Sequence, residues 1–345
     1  MDISLAQYLA LFSASMLAVG LLTPLMRLIA VRLNVVDSPD QSHKTHRIPI
    51  PYLGGVAIIL GVLGVTSLSL IGYSMSQANT ILALSLLLPA VALGLIGLVD
   101  DIRNLSPWPR FVAQSVAGLF TAILLISTDT VGTPTGSMLV DALITIIWIV
   151  GVTNSINFFD NLDGGASGTV ALTSLALLIL ALQGEQYLIA AMAAVLAGAT
   201  LGFLIWNKPP ARIYMGDAGA LFLGLLIASL VIRLDTNPIN NFATFSIPIL
   251  LLAVPIMDTS VAVLSRLQRG ISPFQGGKDH LSHRLIRSGL SKRLSVISLW
   301  IMTAYFGSIA IVISNSPFKF EGVISSIGIF SWFIAFTLFI RLKSE

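Results

Sequence analysis

Cysteine is absent from the chain, which excludes disulfide frameworks, thiolate catalysis and Cys-ligated metal. Charge is scarce as well. Asp, Glu, Lys and Arg make up 10% of the 345 residues, against about 25% in a soluble globular domain, so a water-soluble fold is excluded. Glutamate is the rarest acid, with only Glu185, Glu321 and Glu345 among sixteen acidic residues. No Walker A or GxGxxG motif occurs, since Gly276-Gly277-Lys278 lacks the required earlier Gly and the following Ser or Thr. No HExxH pattern supports zinc. A net charge of +3 is too weak a field to call for nucleic acid as a partner. The N-terminus lacks a basic n-region and a small-residue cleavage site, so its apolar run to about Ala30 reads as a first membrane span and not as a signal peptide.

What is present is hydrophobic: 55% of the residues. One crossing of a bilayer needs roughly 20 mostly apolar residues. Hydropathy gives eleven such runs, at roughly 4–30, 53–73, 79–99, 111–127, 138–158, 166–183, 186–206, 219–234, 243–265, 294–314 and 322–341. Backbone groups in hydrocarbon must be satisfied within the segment, which selects helices. The expected fold is all-α, a polytopic membrane helix bundle forming one domain over residues 1–345, without an internal repeat. Lys and Arg concentrate in the odd-numbered loops and the C-terminal tail, leaving only Arg233 and Lys319 on the other side. The positive-inside rule then puts the N-terminus outside and the C-terminus in the cytoplasm. Localisation in the inner (plasma) membrane follows. Gly198 and Gly202 in the seventh run form a small-xxx-small pair suited to close helix packing.

Aspartates gather at the cytoplasmic ends of these runs, where an ionisable group is costly and therefore a functional hypothesis. Asp100 and Asp101 follow an unbroken apolar run; a bound cation would offset their repulsion, and so would a solvated helix end with Arg103 as partner. Asn154, Asn157 and Asp160 share one helical face, with Asn161 a turn beyond Asn157 and Asp163 just after. Such a group makes a hard-oxygen environment for Mg²⁺, or else interhelical glue. Asn207 to Gly219 is a Pro- and Gly-rich loop carrying Asp217. It either admits a phosphate to a helix N-terminus or is a capped turn. Lys278 to Arg284 brings His280 and His283 together with Arg284, Arg266, Arg269 and Arg287, a set able to bind a diphosphate. Asp258 reads either as a transporter's proton carrier or as support for a metal site.

These residues resemble the polyprenyl-phosphate N-acetylhexosamine-1-phosphate transferases, of glycosyltransferase family 4 type, relatives of the phospho-MurNAc-pentapeptide translocase. Carrying the resemblance are Asp37-Ser-Pro, His43-Lys-Thr-His46, Pro49 to Gly55, Asp100-Asp101, Asn157 to Gly164, Pro210 to Gly219, Pro255 to Asp258 and His280 to Arg284, in the right order over nearly the whole chain. Two departures stand out: Ser282 replaces the middle His of a His-x-His-His-Arg pattern, and Asn161 replaces the first Gly of Asp-Gly-x-Asp-Gly.

The resemblance implies a cytoplasmic active-site cleft and transfer of a sugar-1-phosphate, GlcNAc-1-phosphate by default, from a UDP-amino sugar to undecaprenyl or another polyprenyl phosphate. It implies Asp217 and Asp101 as ligands of Mg²⁺ (Mn²⁺ as the substitute), and Asp100, Asp101, Asp160 and Asp163 as the catalytic carboxylates. Lys44, His46, Asn157, His280, His283 and Arg284 become substrate-binding residues. The bilayer is the remaining partner, and a homodimer is left open. Rival readings are a secondary transporter, which would show repeat halves and midplane charge, and a lipid phosphatase, which would share the anion site.

Overall fold

The apolar runs do fold as helices in the computed structural model, which describes residues 4–37, 49–72, 76–103, 106–127, 135–235, 241–273 and 277–342. The first half of the chain supplies α1 (Leu5–Arg32), α2 (Gly54–Gly72), α3 (Gln77–Arg103), α4 (Pro107–Ser127), α5 (Met138–Phe159) and α6 (Gly165–Gln183). The second half supplies α7 (Tyr187–Asn207), α8 (Gly216–Ile232), α9 (Asn241–Leu251), α10 (Ala253–Gln268), α11 (Leu281–Arg287), α12 (Lys292–Ser314) and α13 (Phe318–Arg341). One small addition to the all-α expectation is an antiparallel ladder of β1 (Val36–Asp37) and β2 (Ile50–Pro51), in which Val36 faces Pro51 and Asp37 faces Ile50. Lys44 and His46 lie between these strands, outside the described residues.

Among the described residues, nine helices are long and apolar enough to cross a membrane, or ten if the bent α9–α10 pair counts as one span. The expected eleven crossings need that pair and α8 to cross as well. At 17 residues α8 is roughly 26 Å long, short of the ~30 Å hydrocarbon core. The expected ninth run is two helices meeting at 77°. Leu252 leaves helical geometry at the break (φ −112°, ψ 21°). Pro255 has no N–H for the carbonyl of Leu251, which accepts instead from Thr173 Oγ1 at 3.0 Å.

Helices α7 and α8 are apolar all round and buried, as such helices must be. The α8 helix packs against α3, α5 and α2, while α7 lies between α1 and α6. The small-residue pair of α7 does the expected job. A Cβ on Gly198 would stand 2.1 Å from the Phe12 carbonyl oxygen of α1, and one on Gly202 would stand 2.3 Å from that of Met16. By contrast α13 leaves Phe330, Phe333, Ile327 and Leu338 exposed, a face for lipid.

Candidate active site

Four helices converge on one carboxylate, Asp217, in the first turn of α8. Its Oδ2 accepts from Arg110 Nη1 of α4 at 2.9 Å, and its Oδ1 accepts from Asn157 Nδ2 of α5 at 2.7 Å. The same Arg110 nitrogen donates to Asp100 Oδ2 of α3 at 3.0 Å, so one guanidinium bridges two carboxylates. Asp100 is buried, whereas Arg110 and Asp217 keep 28% and 24% of their side chains exposed, so the bridge can be reached from solvent.

Asp101 does a different job from its neighbour. Its oxygens accept the backbone N–H groups of Asp217 (2.8 Å) and Ala218 (3.0 Å), capping the start of α8 from another helix. Two glycines let the parts meet. Gly216 has φ +68°, and a Cβ there would lie 2.4 Å from Asp101 Oδ2. A Cβ on Gly97 would lie 2.4 Å from the Asp217 carbonyl oxygen.

The loop before α8 is pinned on both flanks. Gly54 N and Gly55 N donate to the carbonyls of Tyr214 (3.0 Å) and Met215 (2.9 Å), and Tyr214 N donates to that of Pro51 (2.9 Å). Buried Asn207 accepts from Gly164 N and Ser167 Oγ and donates to the Ile213 carbonyl. Asp163 Oδ2 accepts from Ala211 N at 2.9 Å, and its carboxylate also hydrogen-bonds the Tyr214 side chain. Asp160 closes α5. Burial, with the charges of Asp217 and Asp163 behind it, pushes its carboxyl up to about 7. The Tyr52 and Tyr214 rings stand 6.2 Å apart, and burial holds both phenols above their usual range.

A second charged cluster has buried carboxylates, with Arg269 27% exposed at its edge. Asp258 of α10, fully buried, accepts from His280 Nδ1 at 2.7 Å and from Leu281 N at 2.7 Å. His280 Nε2 lies 3.3 Å from Arg266 Nη2. If Nδ1 is the protonated nitrogen, as the carboxylate requires, Nε2 is the acceptor for Arg266. Asp279 pairs with Arg266 (3.2 Å) and with Arg269. Arg284 is buried and engaged: Nε donates to the Asp279 carbonyl (2.8 Å), Nη1 to those of Phe339 (3.0 Å) and Leu342, and Nη2 to Ser265 Oγ. It caps the C-terminal end of α13, so the geometry gives it a positioning place in contrast to the substrate contact its motif implies. His283 sits beside His280, their ring centroids 6.4 Å apart. Burial, with the neighbouring charges of His280 and Arg287, pushes it down to about 4, so it is neutral near pH 7.

Of the residues singled out in the sequence, Asp100, Asp101, Asn157 and Asp217 thus meet, with Asp160 and Asp163 next to them. His280 reaches the same region through its ring edge on Phe158, at 6.4 Å. Sequence reasoning missed Arg110, whose charge topology alone accounts for, and Asn207 as a strut. It also missed the pairing of Asp258 with His280, which 22 residues separate.

Among the described residues no three Asp, Glu or His side chains form a cage for a metal ion. Magnesium needs no such cage, because one or two carboxylates plus substrate phosphates serve it. Asp217 and Asp100, converging on one nitrogen, are such a pair of hard oxygen donors, whereas Asp101, the expected second ligand, has both oxygens on backbone N–H groups.

Residues 83–235, which hold the whole four-helix cluster, match the model of glycosyl transferase family 4. Over 328 residues the chain is 33% identical to the probable undecaprenyl-phosphate N-acetylglucosaminyl 1-phosphate transferase of Bacillus subtilis, covering 92% of this chain and 87% of that one. It is 32% identical over 321 residues to the decaprenyl-phosphate N-acetylglucosaminephosphotransferase of Mycobacterium tuberculosis, covering 84% and 79%. A phospho-N-acetylmuramoyl-pentapeptide-transferase of Bacillus licheniformis is 33% identical over 241 residues, covering 64% and 72%. With the convergence on Asp217, these likenesses establish that the chain belongs to glycosyl transferase family 4, as a multi-pass membrane sugar-phosphate transferase.

Proposed function

We propose that the chain transfers N-acetylhexosamine-1-phosphate, with GlcNAc as the sugar, from a UDP-sugar to undecaprenyl or a similar polyprenyl phosphate. UMP leaves, and a polyprenyl-diphosphate sugar forms at the cytoplasmic membrane surface. The observation that carries this reading is the reachable Asp100–Arg110–Asp217–Asn157 cluster at the end of the bundle where basic loops gather. The same charge bias favours eleven crossings with an outside N-terminus. Relatives named for undecaprenyl- and decaprenyl-phosphate N-acetylglucosamine transfer supply the acceptor and sugar classes.

The reaction joins two anions, and the protein must lower their repulsion. Arg110 is the cation already in place. When a donor diphosphate enters, its guanidinium can turn from the carboxylates to phosphate oxygens, for which its planar fork is suited. Asn157 holds the rotamer of Asp217. Asp101 holds the first turn of α8, and with it Asp217, by accepting the N–H groups of Asp217 and Ala218. Bound Mg²⁺, or Mn²⁺, held by Asp217 and Asp100, would supply charge neutralisation of the diphosphate. The lipid phosphate then attacks the phosphorus bearing the sugar, and the bond to UMP breaks.

The test is turnover by purified protein in detergent with undecaprenyl phosphate, Mg²⁺ and a panel of UDP-N-acetylhexosamines. The expected result is UMP release that requires lipid, metal and Asp217. Lipid-independent release of inorganic phosphate would favour a phosphatase instead, and the absence of UMP from every donor would sink the transfer reading.

A further inference from the structure

The two positions at which the sequence departs from the pattern it resembles touch each other. Ser282 Oγ donates to Asn161 Oδ1 at 2.5 Å, across 121 residues of chain. The amide is oriented for this bond. Asn161 Nδ2 donates to the Phe158 carbonyl at 2.8 Å, in the last turn of α5, which leaves Oδ1 facing α11. Ser282 is the second residue of α11 and is 1% exposed, so the hydroxyl has no water to turn to.

The other side-chain hydrogen bonds around α11 lead elsewhere. Arg284 reaches the end of α13 and Ser265 of α10, His280 reaches Asp258 of α10, and Arg287 reaches the Lys278 carbonyl. Toward the turn that carries Asp160 and Asp163 runs the Asn161–Ser282 bond, beside the edge contact of His280 on Phe158. A ring at 282 could not fit this enclosed position with the asparagine side chain in front of it, and a glycine at 161 would leave a serine hydroxyl unpartnered.

We propose that Asn161 and Ser282 form a latch that docks α11, and with it His283, onto the Asp160–Asp163 turn, and that this latch positions the donor side of the active site. The proposal rests on the transfer reading above. Both residues are positioning residues: neither needs to touch the sugar or the phosphates. Their effect falls on the UDP-sugar and not on the lipid acceptor, because the latch carries His283, a substrate-binding residue by the resemblance.

The experiment is a double-mutant cycle on the full chain, preceded by wild-type turnover, which tests the transfer reading separately. Ser282→Ala and Asn161→Ala are each expected to raise the donor KM about tenfold, with the lipid KM unchanged. The double variant is expected to be no worse than either single one, and Ser282→Thr, which keeps the hydroxyl, to stay within about twofold of wild type. Losses that multiply in the double variant, or a donor KM unmoved by both single substitutions, would overturn the latch. A second measurement does not depend on turnover. Because the chain has no cysteine, Asn161→Cys with Ser282→Cys gives a thiol pair free of background. Mild oxidation should join the two as a disulfide, as read by mass spectrometry. Failure to join them in the folded protein, with wild-type turnover intact, counts against the latch and leaves the transferase standing.

Discussion

Two charged clusters occupy the same end of the bundle, built from the same residue types, and they differ in access. Around Asp217 the partners are partly exposed, and one guanidinium serves two carboxylates. Around Asp258 both carboxylates, His280 and Arg266 are buried, with Arg269 27% exposed at the edge, and the acids are fully paired: His280 and the Leu281 N–H for Asp258, two arginines for Asp279. The first arrangement can exchange a protein cation for a ligand. The second has nothing to exchange and holds a loop in place. Charge at membrane depth therefore marks two kinds of function, and exposure separates them.

The comparison breaks most sharply at the two central aspartates. Asp217→Asn should lower transfer by about 10³-fold while thermal unfolding in detergent stays within a degree or two, because the loss is electrostatic and local. Asp258→Ala should do the reverse. It leaves His280 Nδ1 and the Leu281 N–H without the acceptor they share, at a cost of about 3 kcal/mol or more, and thermal melts should show the loss, while the activity per folded molecule falls only severalfold. If Asp258→Ala instead abolished turnover with an unchanged melt, the Asp258 cluster would belong to the chemistry and exposure would no longer separate the two.

Arg110 sharpens the contrast. Arg110→Ala should cost about 100-fold in kcat/KM, and Arg110→Lys about tenfold, because an ammonium keeps the charge but loses the planar fork. A lysine variant as poor as alanine would show that geometry outweighs charge. Asp101→Asn should be milder. Loss of a carboxylate cap on α8 costs about 1 kcal/mol, so the melting temperature should drop slightly, with activity down severalfold; a 10³-fold loss would make Asp101 a direct ligand. Asp160 sets a pH dependence of stability. With its carboxyl pushed up to about 7, the folded protein holds a proton that the unfolded chain has released above its ordinary value near 4. Ligand-free stability should therefore fall as pH rises from about 4 to 7, and Asp160→Asn should flatten that decline. Melts at pH 5 and pH 8 in the two proteins decide it.

Much of the site is legible in the sequence, for a reason particular to membranes. An aspartate ending an apolar run is costly enough to announce itself, and Asp100, Asp101, Asp160, Asp163 and Asp217 all do. Arg110 does not, because a basic residue beside a span has a sufficient explanation in topology. Asp101 is visible as a carboxylate but not as a cap, since nothing local says that α3 reaches the start of α8. The Asp258–His280 pair is hidden by distance along the chain, and Arg284 by its motif, which speaks of ligands while its guanidinium closes the end of α13. The shortness of α8 and the break at Leu252 are hidden from hydropathy, which scores composition over a window and cannot see Pro255 releasing the Leu251 carbonyl to Thr173.

Gly97 carries one further consequence. It has no functional group, lies within an apolar stretch of α3, and faces the backbone of Asp217 with no space for a methyl group. Any side chain there must push Asp217 away from Arg110 and Asn157 without altering a single reactive atom. A saturation library scored only for lost turnover would rank Gly97 next to the aspartate it touches, and a reader of that library would take it for chemistry. The inverse also holds: resistance to an inhibitor through Gly97 would come only with a displaced Asp217, and so at the expense of turnover.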